Sequence, residues 1–263
     1  MNYGLKEKLA LVTGSTKGIG RAIVEELHSE GAKVIIHGRS DEEVKWLSGS
    51  LGENAFGVAA DLSDAREVNK LISEVKKIGD PDILINNAGI FEVKDFLDIT
   101  DDDWHRFFDV NVMSGVRLSR AFFPAMLKKN WGRIIFISSE SAVNIPVEMI
   151  HYGMTKTAQL AISRGLSELT RKTGVTVNAI LPGPTMSDGV SSFVGEFSSQ
   201  MGKTKEEFIN ETFFKEARPT SLIQRFADPK EVAHMVVYIA SGLSSATNGA
   251  ALRVDGGVVK SII

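Results

Sequence analysis

Cysteine is absent from the 263 residues, which excludes disulfides, thiolate nucleophiles and cysteine metal sites. The five histidines, at positions 28, 37, 105, 151 and 234, show no ligand spacing, so no metal is expected. The opening stretch, Met1 to Thr13, lacks the apolar centre of a signal peptide, and no apolar run is long enough to span a bilayer. Together these absences point to a soluble, cytoplasmic protein without a membrane partner. A basic excess is also missing: Lys and Arg number 30 against 33 Asp and Glu, a net charge of −3. That argues against a general nucleic-acid binder. No Pro/Gly/Ser-rich linker, repeat or low-complexity tract divides the chain, so residues 1–263 read as one domain. An apolar content of 43% is enough for a sizeable core.

What is present alternates. Short apolar runs at 9–13, 33–37, 55–60, 82–85, 133–137, 176–181 and 252–254 read as buried strands. Between them lie helical patterns at 21–30, from Ser40, at 64–77, from Thr100, and at 115–129, 152–173 and 229–240. Ser40-x-x-Glu43 reads as a capping box, and Asp228 with Pro229 reads as a cap with proline in the first turn. Strand–helix alternation implies an α/β fold, a parallel sheet with helices on both faces. Ligands then sit at the carboxyl ends of the strands. Gly14, Asp61, Asn86, Ser139 and Pro182 each follow a strand, so they gather on one edge.

That edge carries the chemistry. Gly14-Ser15-Thr16-Lys17-Gly18-Ile19-Gly20 joins the first strand to a helix, an arrangement in which backbone N–H groups face a pyrophosphate. The second strand ends His37-Gly38-Arg39-Ser40, without the carboxylate that would bind a ribose 2′-hydroxyl. Arg39 and Lys17 could instead hold a 2′-phosphate, although both could equally be solvated surface cations. Asp61 could accept from an adenine amino group, or simply cap a loop near Ser63. Asn111, among Val110, Val112 and Met113, reads as a buried amide with a defined partner or as a helix-bending residue. Ser139 closes the fifth strand, and Tyr152-x-x-x-Lys156 places two side chains on one helix face. An ammonium near a phenol lowers the phenol pKa and makes a usable proton donor and acceptor. Taken alone, such a pair is also ordinary helix surface. Residues 186–218 form a long connection that reads as a substrate lid. Its Phe193, Phe197, Phe208, Phe213 and Phe214 suit either an apolar pocket or packing within the lid.

In order and spacing, Thr13-Gly14-x-x-x-Gly18-x-Gly20, Asp61, Asn86-Asn87-Ala88-Gly89, Asn111, Ser139, Tyr152-x-x-x-Lys156, Pro182-Gly183 and Asp255-Gly256-Gly257 resemble the short-chain dehydrogenase/reductase family over nearly the whole chain. The resemblance implies a Rossmann-like three-layer αβα fold with a seven-stranded parallel sheet in the order 3-2-1-4-5-6-7. It implies Tyr152 as general acid and base, and Lys156 as holder of the nicotinamide ribose that lowers the tyrosine pKa. Ser139 would orient the carbonyl, and Asn111 would keep a water linking Lys156 to solvent. For the cofactor it implies Gly14, Ser15, Thr16, Gly18, Ile19 and Gly20 around the pyrophosphate, and Asp61 and Leu62 at adenine. It adds Asn87, Ala88 and Gly89 near the adenine-side ribose, and Pro182, Gly183 and Thr185 at the nicotinamide carboxamide. Lys17 and Arg39 match the basic pair of NADP-preferring members.

The expected activity is therefore NADP(H)-dependent hydride transfer between nicotinamide and a ketone or secondary alcohol. An NAD-linked alcohol dehydrogenase, a 3-oxoacyl thioester reductase and a non-catalytic cofactor-binding sensor stay as alternatives. Gln224-Arg225-Phe226-Ala227 replaces the common Gly-Arg-x-Gly, and the lid looks longer than in acyl-carrier-protein reductases. Pocket candidates are Glu140, Met149 and Met186, with Val143, Ile145, Ile150 and the lid phenylalanines; they suit a mainly apolar small-molecule substrate. The family also implies a homotetramer, or a homodimer. The apolar tail from Val258 to Ile263 fits burial against a partner subunit or docking on its own domain.

Overall fold

The computed structural model describes residues 2–262. The five inner strands are apolar runs because both of their faces are covered, whereas the two edge strands, Ala55–Ala59 and Ala251–Val254, stay partly exposed. Side chains alternate across a strand, and here they alternate between two cores. Ala10, Val12, Val34, Ile36, Ile83 and Ile85 point to one core; Leu9, Leu11, Ile35 and Leu84 point to the other. The strands are β1 Leu9–Val12, β2 Lys33–Gly38, β3 Ala55–Ala59, β4 Ile83–Asn86, β5 Gly132–Ile137, β6 Val175–Pro182 and β7 Ala251–Val254. All pair in parallel, in the order β3-β2-β1-β4-β5-β6-β7. The chain reverses its winding between β1 and β4, and at such a switch point the loops diverge and leave a crevice.

Helices α1 Gly18–Ser29, α2 Asp41–Leu51, α3 Ala65–Ile78, α4 Asp101–Phe108 and α5 Ser114–Lys129 follow the expected order. Thr100 and Asp103 form a reciprocal capping box at the start of α4. A π-helical stretch, Asp109–Met113, separates α4 from α5 and carries Asn111. Helix α6 spans Ile150–Glu168, not 152–173. Beyond Glu168 the Thr170 and Thr173 hydroxyls bond the carbonyls of Ser167 and Thr170, competing with the helical pattern. Residues 186–218 hold α7 Asp188–Gln200, the short α8 Lys205–Glu207 and a π-helical Phe208–Ala217. Helix α9, Pro229–Ala240, has the expected Asp228 cap, closed by Glu231.

The cap of α2 differs from expectation, and the tail takes one of its two expected places. Ser40 caps α2 by accepting from Glu43 N, but the Glu43 carboxylate does not return the bond; it turns to Thr16 Oγ1 at 3.0 Å, so the capping box is half formed. At the tail, Val258 and Val259 are buried on their own domain, whereas Ile262 is exposed and Ile263 lies outside the described residues.

Strand β5 delivers Ser139, and Arg133 anchors that strand. Its buried guanidinium donates to the carbonyls of Ser241 (3.1 Å), Gly132 (2.8 Å) and Gly174 (2.9 Å), and lies over the Trp131 ring. Arg133→Met keeps the packing stem and strands these carbonyls. An unpaired buried acceptor costs about 1–3 kcal/mol, so at about 2–4 °C per kcal/mol for a chain of this size the melting temperature is expected to fall by roughly 2–12 °C, measured by calorimetry. An unchanged melting temperature would remove this anchor.

Candidate active site

Three elements bring Ser139, Tyr152, Lys156 and Asn111 together: the end of β5, the first turns of α6 and the π-helical stretch. Ser138 Oγ donates to the Lys156 carbonyl at 2.9 Å and pins α6 to β5. Ser139 Oγ accepts from Ser141 N at 3.1 Å, capping the single turn Glu140–Ala142. The same hydroxyl is a hydrogen-bonding neighbour of the Tyr152 phenol. Lys156 is buried; its Nζ donates to the Ile137 carbonyl at 2.9 Å and to Gln159 Oε1 at 3.4 Å, and lies 5.6 Å from the Tyr152 ring centre.

The electrostatics differ from the expectation that Lys156 makes the tyrosine acidic. Enclosure by protein dominates both groups. It pushes the Tyr152 phenol up to about 12, with the Ser139 hydroxyl opposing and the Glu140 charge adding to the rise. It pushes Lys156 down to about 8.

Asn111 is buried, and its amide is fully used: Nδ2 donates to Ile90 O (3.0 Å) and Thr155 Oγ1 (2.9 Å), and Oδ1 accepts from Ile90 N (2.8 Å). Its main-chain carbonyl takes Gln159 Nε2 at 2.6 Å. Gln159 therefore links the Asn111 carbonyl to Lys156. Its signal was spacing alone: it lies on the Lys156 face of α6, and a polar residue there has to find partners.

The glycine loop fits a dinucleotide phosphate. Gly14 and Gly18 adopt φ of 61° and 58°, the left-handed region that glycine enters at no steric cost. A Cβ on Gly20 would meet the Gly14 carbonyl at 2.3 Å. Ser15 turns its hydroxyl inward to Val12 O and its N–H to His37 O, so its own donors hold the turn together. Asn87 Nδ2 donates to the carbonyls of Thr13 (2.8 Å) and Gly14 (3.0 Å), so this residue stitches β4 to the loop. The Gly18 N–H donates to Asp188 Oδ2 at 2.8 Å, the bond an anionic group would take at a helix N-terminus. Around the cradle, Ile19, Gly89, Pro182, Gly183 and the buried Thr185 line the main cavity, with Ala88 partly buried nearby.

At the expected adenine end, Asp61 Oδ1 accepts from Ser63 N and Oγ, and the Leu62 side chain is buried in the core, so Leu62 offers backbone only. Arg39 is exposed, its charge felt by Asp61. Lys17 is 3.9 Å from Glu43. An acid therefore stands at this corner after all, supplied by α2 rather than by the end of β2.

A cavity of about 440 Å³ joins Ser139, Tyr152 and Lys156 to Glu140, Met149, Phe193, Phe197, Phe208 and Phe213. Met186 and Phe214 are not on its wall; they pack with Val194 and Phe226 in a separate small core under residues 186–218. Val143 and Ile145 are half exposed away from it, and Ile150 does not line it. Sequence reasoning missed Phe91, Glu148 and Arg218, which do. Among the described residues no cluster of three metal-ligating side chains occurs, and no helix is long and apolar enough to cross a membrane.

His37 was also missed as a brace. It is buried, accepts from Gly14 N at Nδ1 (3.1 Å) and contacts the Ala60 carbonyl at Nε2 (3.1 Å), which fixes a neutral ring with its proton on Nε2. Burial holds its pKa down to about 4 from 6.5. Between those values the unfolded chain binds a proton that the folded chain refuses. Stability is therefore complete above pH 6.5 and falls as the pH drops towards 4, by on the order of 3 kcal/mol. Urea unfolding at pH 7 and pH 4.5 should show this loss in wild type and a smaller one in His37→Asn; equal losses would refute the brace.

The comparisons with known proteins agree with this geometry. Residues 8–195 match the short chain dehydrogenase family. The uncharacterized oxidoreductase YvrD of Bacillus subtilis (strain 168) is 50% identical over 264 residues, covering 100% of both chains. The 3-oxoacyl-[acyl-carrier-protein] reductase FabG of Aquifex aeolicus is 34% identical over 98% of this chain and 100% of its own. L-sorbose reductase of Gluconobacter frateurii, solved with NADPH and L-sorbose, superposes with a TM-score of 0.93 at 30% identity over 100% of both chains. With the family match, the parallel sheet order and these oxidoreductase relatives in agreement, the chain belongs to the short chain dehydrogenase family.

Proposed function

We propose that this oxidoreductase is an NADP(H)-preferring enzyme that interconverts a ketone and a secondary alcohol. The observation that carries the reading is convergence: the Ser139 hydroxyl, the Tyr152 phenol and the Lys156 ammonium line one cavity that runs on to the glycine cradle. When bound, a nicotinamide supplies or accepts the hydride. The chain does the rest. Gly14, Gly18 and Gly20 present backbone to the phosphates, Lys156 holds the ribose, and Ser139 orients the carbonyl oxygen. Tyr152 gives that oxygen its proton in reduction and takes it back in oxidation. A phenol pushed up to about 12 is protonated at neutral pH, which suits the donor and hence carbonyl reduction.

The NADP preference rests on Arg39, just after β2, and Lys17, in the glycine loop, and structural neighbours solved with NADPH or NADP support it. Glu43 opposes it. Its carboxylate is held by Thr16 and sits near Lys17, so Arg39 carries more of the preference than the basic pair implied. The phenylalanine wall keeps a 3-oxoacyl thioester substrate as the second reading. Exposed apolar side chains at Phe108 and Leu169, at the ends of α4 and α6, suit a homotetramer or homodimer.

Tyr152→Phe is expected to bind NADPH as wild type does and to lose roughly 10²–10⁴-fold in kcat, the usual contribution of a positioned acid–base group. Near-normal turnover on a ketone panel would overturn the assignment of Tyr152. Arg39→Asp is expected to raise KM for NADPH at least about tenfold, equivalent to ~1.4 kcal/mol, and to shift preference towards NADH. An unchanged ratio of the two cofactors would take Arg39 out of the phosphate site.

A further inference from the structure

The cavity contains a buried carboxylate with one oxygen free. Glu140 follows Ser139 directly, is 4% exposed and lines the cavity. Its Oε1 accepts from Arg218 Nε at 3.1 Å; its Oε2 is buried with no donor within hydrogen-bond distance, and the Ser141 hydroxyl is a hydrogen-bonding neighbour of the carboxylate. Arg218 is held again by Glu148 Oε1 at 3.3 Å and by the Ala217 carbonyl at 2.8 Å. One guanidinium between two carboxylates leaves the cluster with a net negative charge. The other cation on the wall, Lys156, already donates to Ile137 and Gln159. With Lys156 given to the cofactor ribose in the reading above, a substrate carboxylate or phosphate would find no cation here that is free of a carboxylate. The group that Oε2 lacks is a donor, and a neutral hydroxyl supplies one without bringing charge.

We infer that Glu140 determines specificity by accepting a hydrogen bond from a hydroxyl on the carbon next to the reacting carbonyl, so that the preferred substrates are neutral hydroxyketones, and vicinal diols in the reverse direction. The inference rests on the reductase reading above and names its substrate class. Ser139 holds the carbonyl oxygen, and the next residue in the chain brings its carboxylate to the same end of the cavity, close enough for its charge to act on the Tyr152 phenol. The hydroxyl is a recognition handle only: it keeps its proton and its bond to carbon, while the carbonyl carbon gains the hydride and the oxygen gains the Tyr152 proton. Phe193, Phe197, Phe208 and Phe213 take the apolar remainder of the molecule. A site built to bond a substrate hydroxyl rejects the analogue without it, because its own polar group is then left unpaired.

The test compares matched substrates, α-hydroxyacetophenone against acetophenone and acetoin against butanone, with NADPH. Wild type is expected to favour the hydroxyketone by about 10²-fold or more in kcat/KM, within the range of such hydrogen-bond discrimination. In Glu140→Leu this ratio is expected to fall at least about tenfold. If Glu140 served only to anchor Arg218, both substrates would slow alike and the ratio would stay. Should Glu140→Leu fold poorly, the near-isosteric Glu140→Gln and the wild-type ratio itself still decide. A separate readout is calorimetric binding of phenylethanediol to Tyr152→Phe loaded with NADP, expected to weaken about tenfold or more when Glu140→Gln is added. Wild type that reduces both members of each pair equally would overturn the inference and leave the reductase reading standing. No turnover of any ketone would overturn both.

Discussion

A lysine is buried at Lys156, and much of the site follows from the need to keep it there. An ammonium without partners inside a protein is costly and tends to lose its charge. Lys156 is partnered by the Ile137 carbonyl and by Gln159, and burial still draws its pKa down to about 8. The inner face of α6 is accordingly polar, made of His151, Thr155, Lys156, Gln159, Ser163 and Ser167 rather than the apolar stripe of most packed helices. The His151 and Ser163 side chains have no hydrogen-bond partner among the described residues, but a chain of bonds runs outward from Lys156. Gln159 reaches the Asn111 carbonyl, Asn111 Nδ2 reaches Thr155, and Thr155 reaches back to the Tyr152 carbonyl. The π-helical stretch belongs to this chain of bonds, since an extra residue in a turn changes which backbone groups the helix itself uses, a feature frequent at functional sites.

Neutral groups apply the same logic at the glycine loop. A turn that presents its N–H groups to a ligand cannot spend all of them on itself, so it is held by its carbonyls and by side chains from other strands. Thr13 Oγ1 accepts from Asn87 N and Ala88 N at 3.0 Å each, Asn87 returns two bonds to loop carbonyls, and His37 accepts from Gly14 N. The loop is thus held by β1, β2 and β4, and the end of β4 runs on through Asn87 and Gly89 to the cavity wall.

The strands were legible because a strand covered on both faces leaves an unbroken apolar run, and the caps at Thr100 and Asp228 were legible because capping is local in sequence. The meeting of Ser139, Tyr152, Lys156 and the glycine loop followed from the rule that ligands sit at strand carboxyl ends. What escaped detection was nonlocal. Nothing near Glu43 indicates that its carboxylate abandons its own helix for Thr16. Arg218 meets Glu140 across 78 positions, and Asp188 meets Gly18 across 170. The Tyr152 pKa was misjudged for a related reason: spacing reveals which charge is near, but burial, which here outweighs it, is a property of the whole fold. Likewise Met186 and Phe214 have the composition of pocket residues, and only the packing of residues 186–218 assigns them to its interior.

The two ends of the 186–218 segment are held unequally, and the difference bears on how the cavity opens. At one end Asp188 meets Gly18 N through an exposed bond, which water can replace at little cost. At the other, Arg218 and Glu140 form a mostly buried pair, with side chains 10% and 5% exposed. Separating a buried pair leaves an uncompensated charge on each side, a far larger penalty than breaking an exposed contact. The phenylalanines between these ends serve both sides of the segment. Phe208 belongs to its small core and to the cavity wall, so the wall moves only as the core moves. The Asp188 attachment, beside the glycine loop, is therefore the weaker of the two, and the Arg218–Glu140 attachment next to Ser139 the stronger.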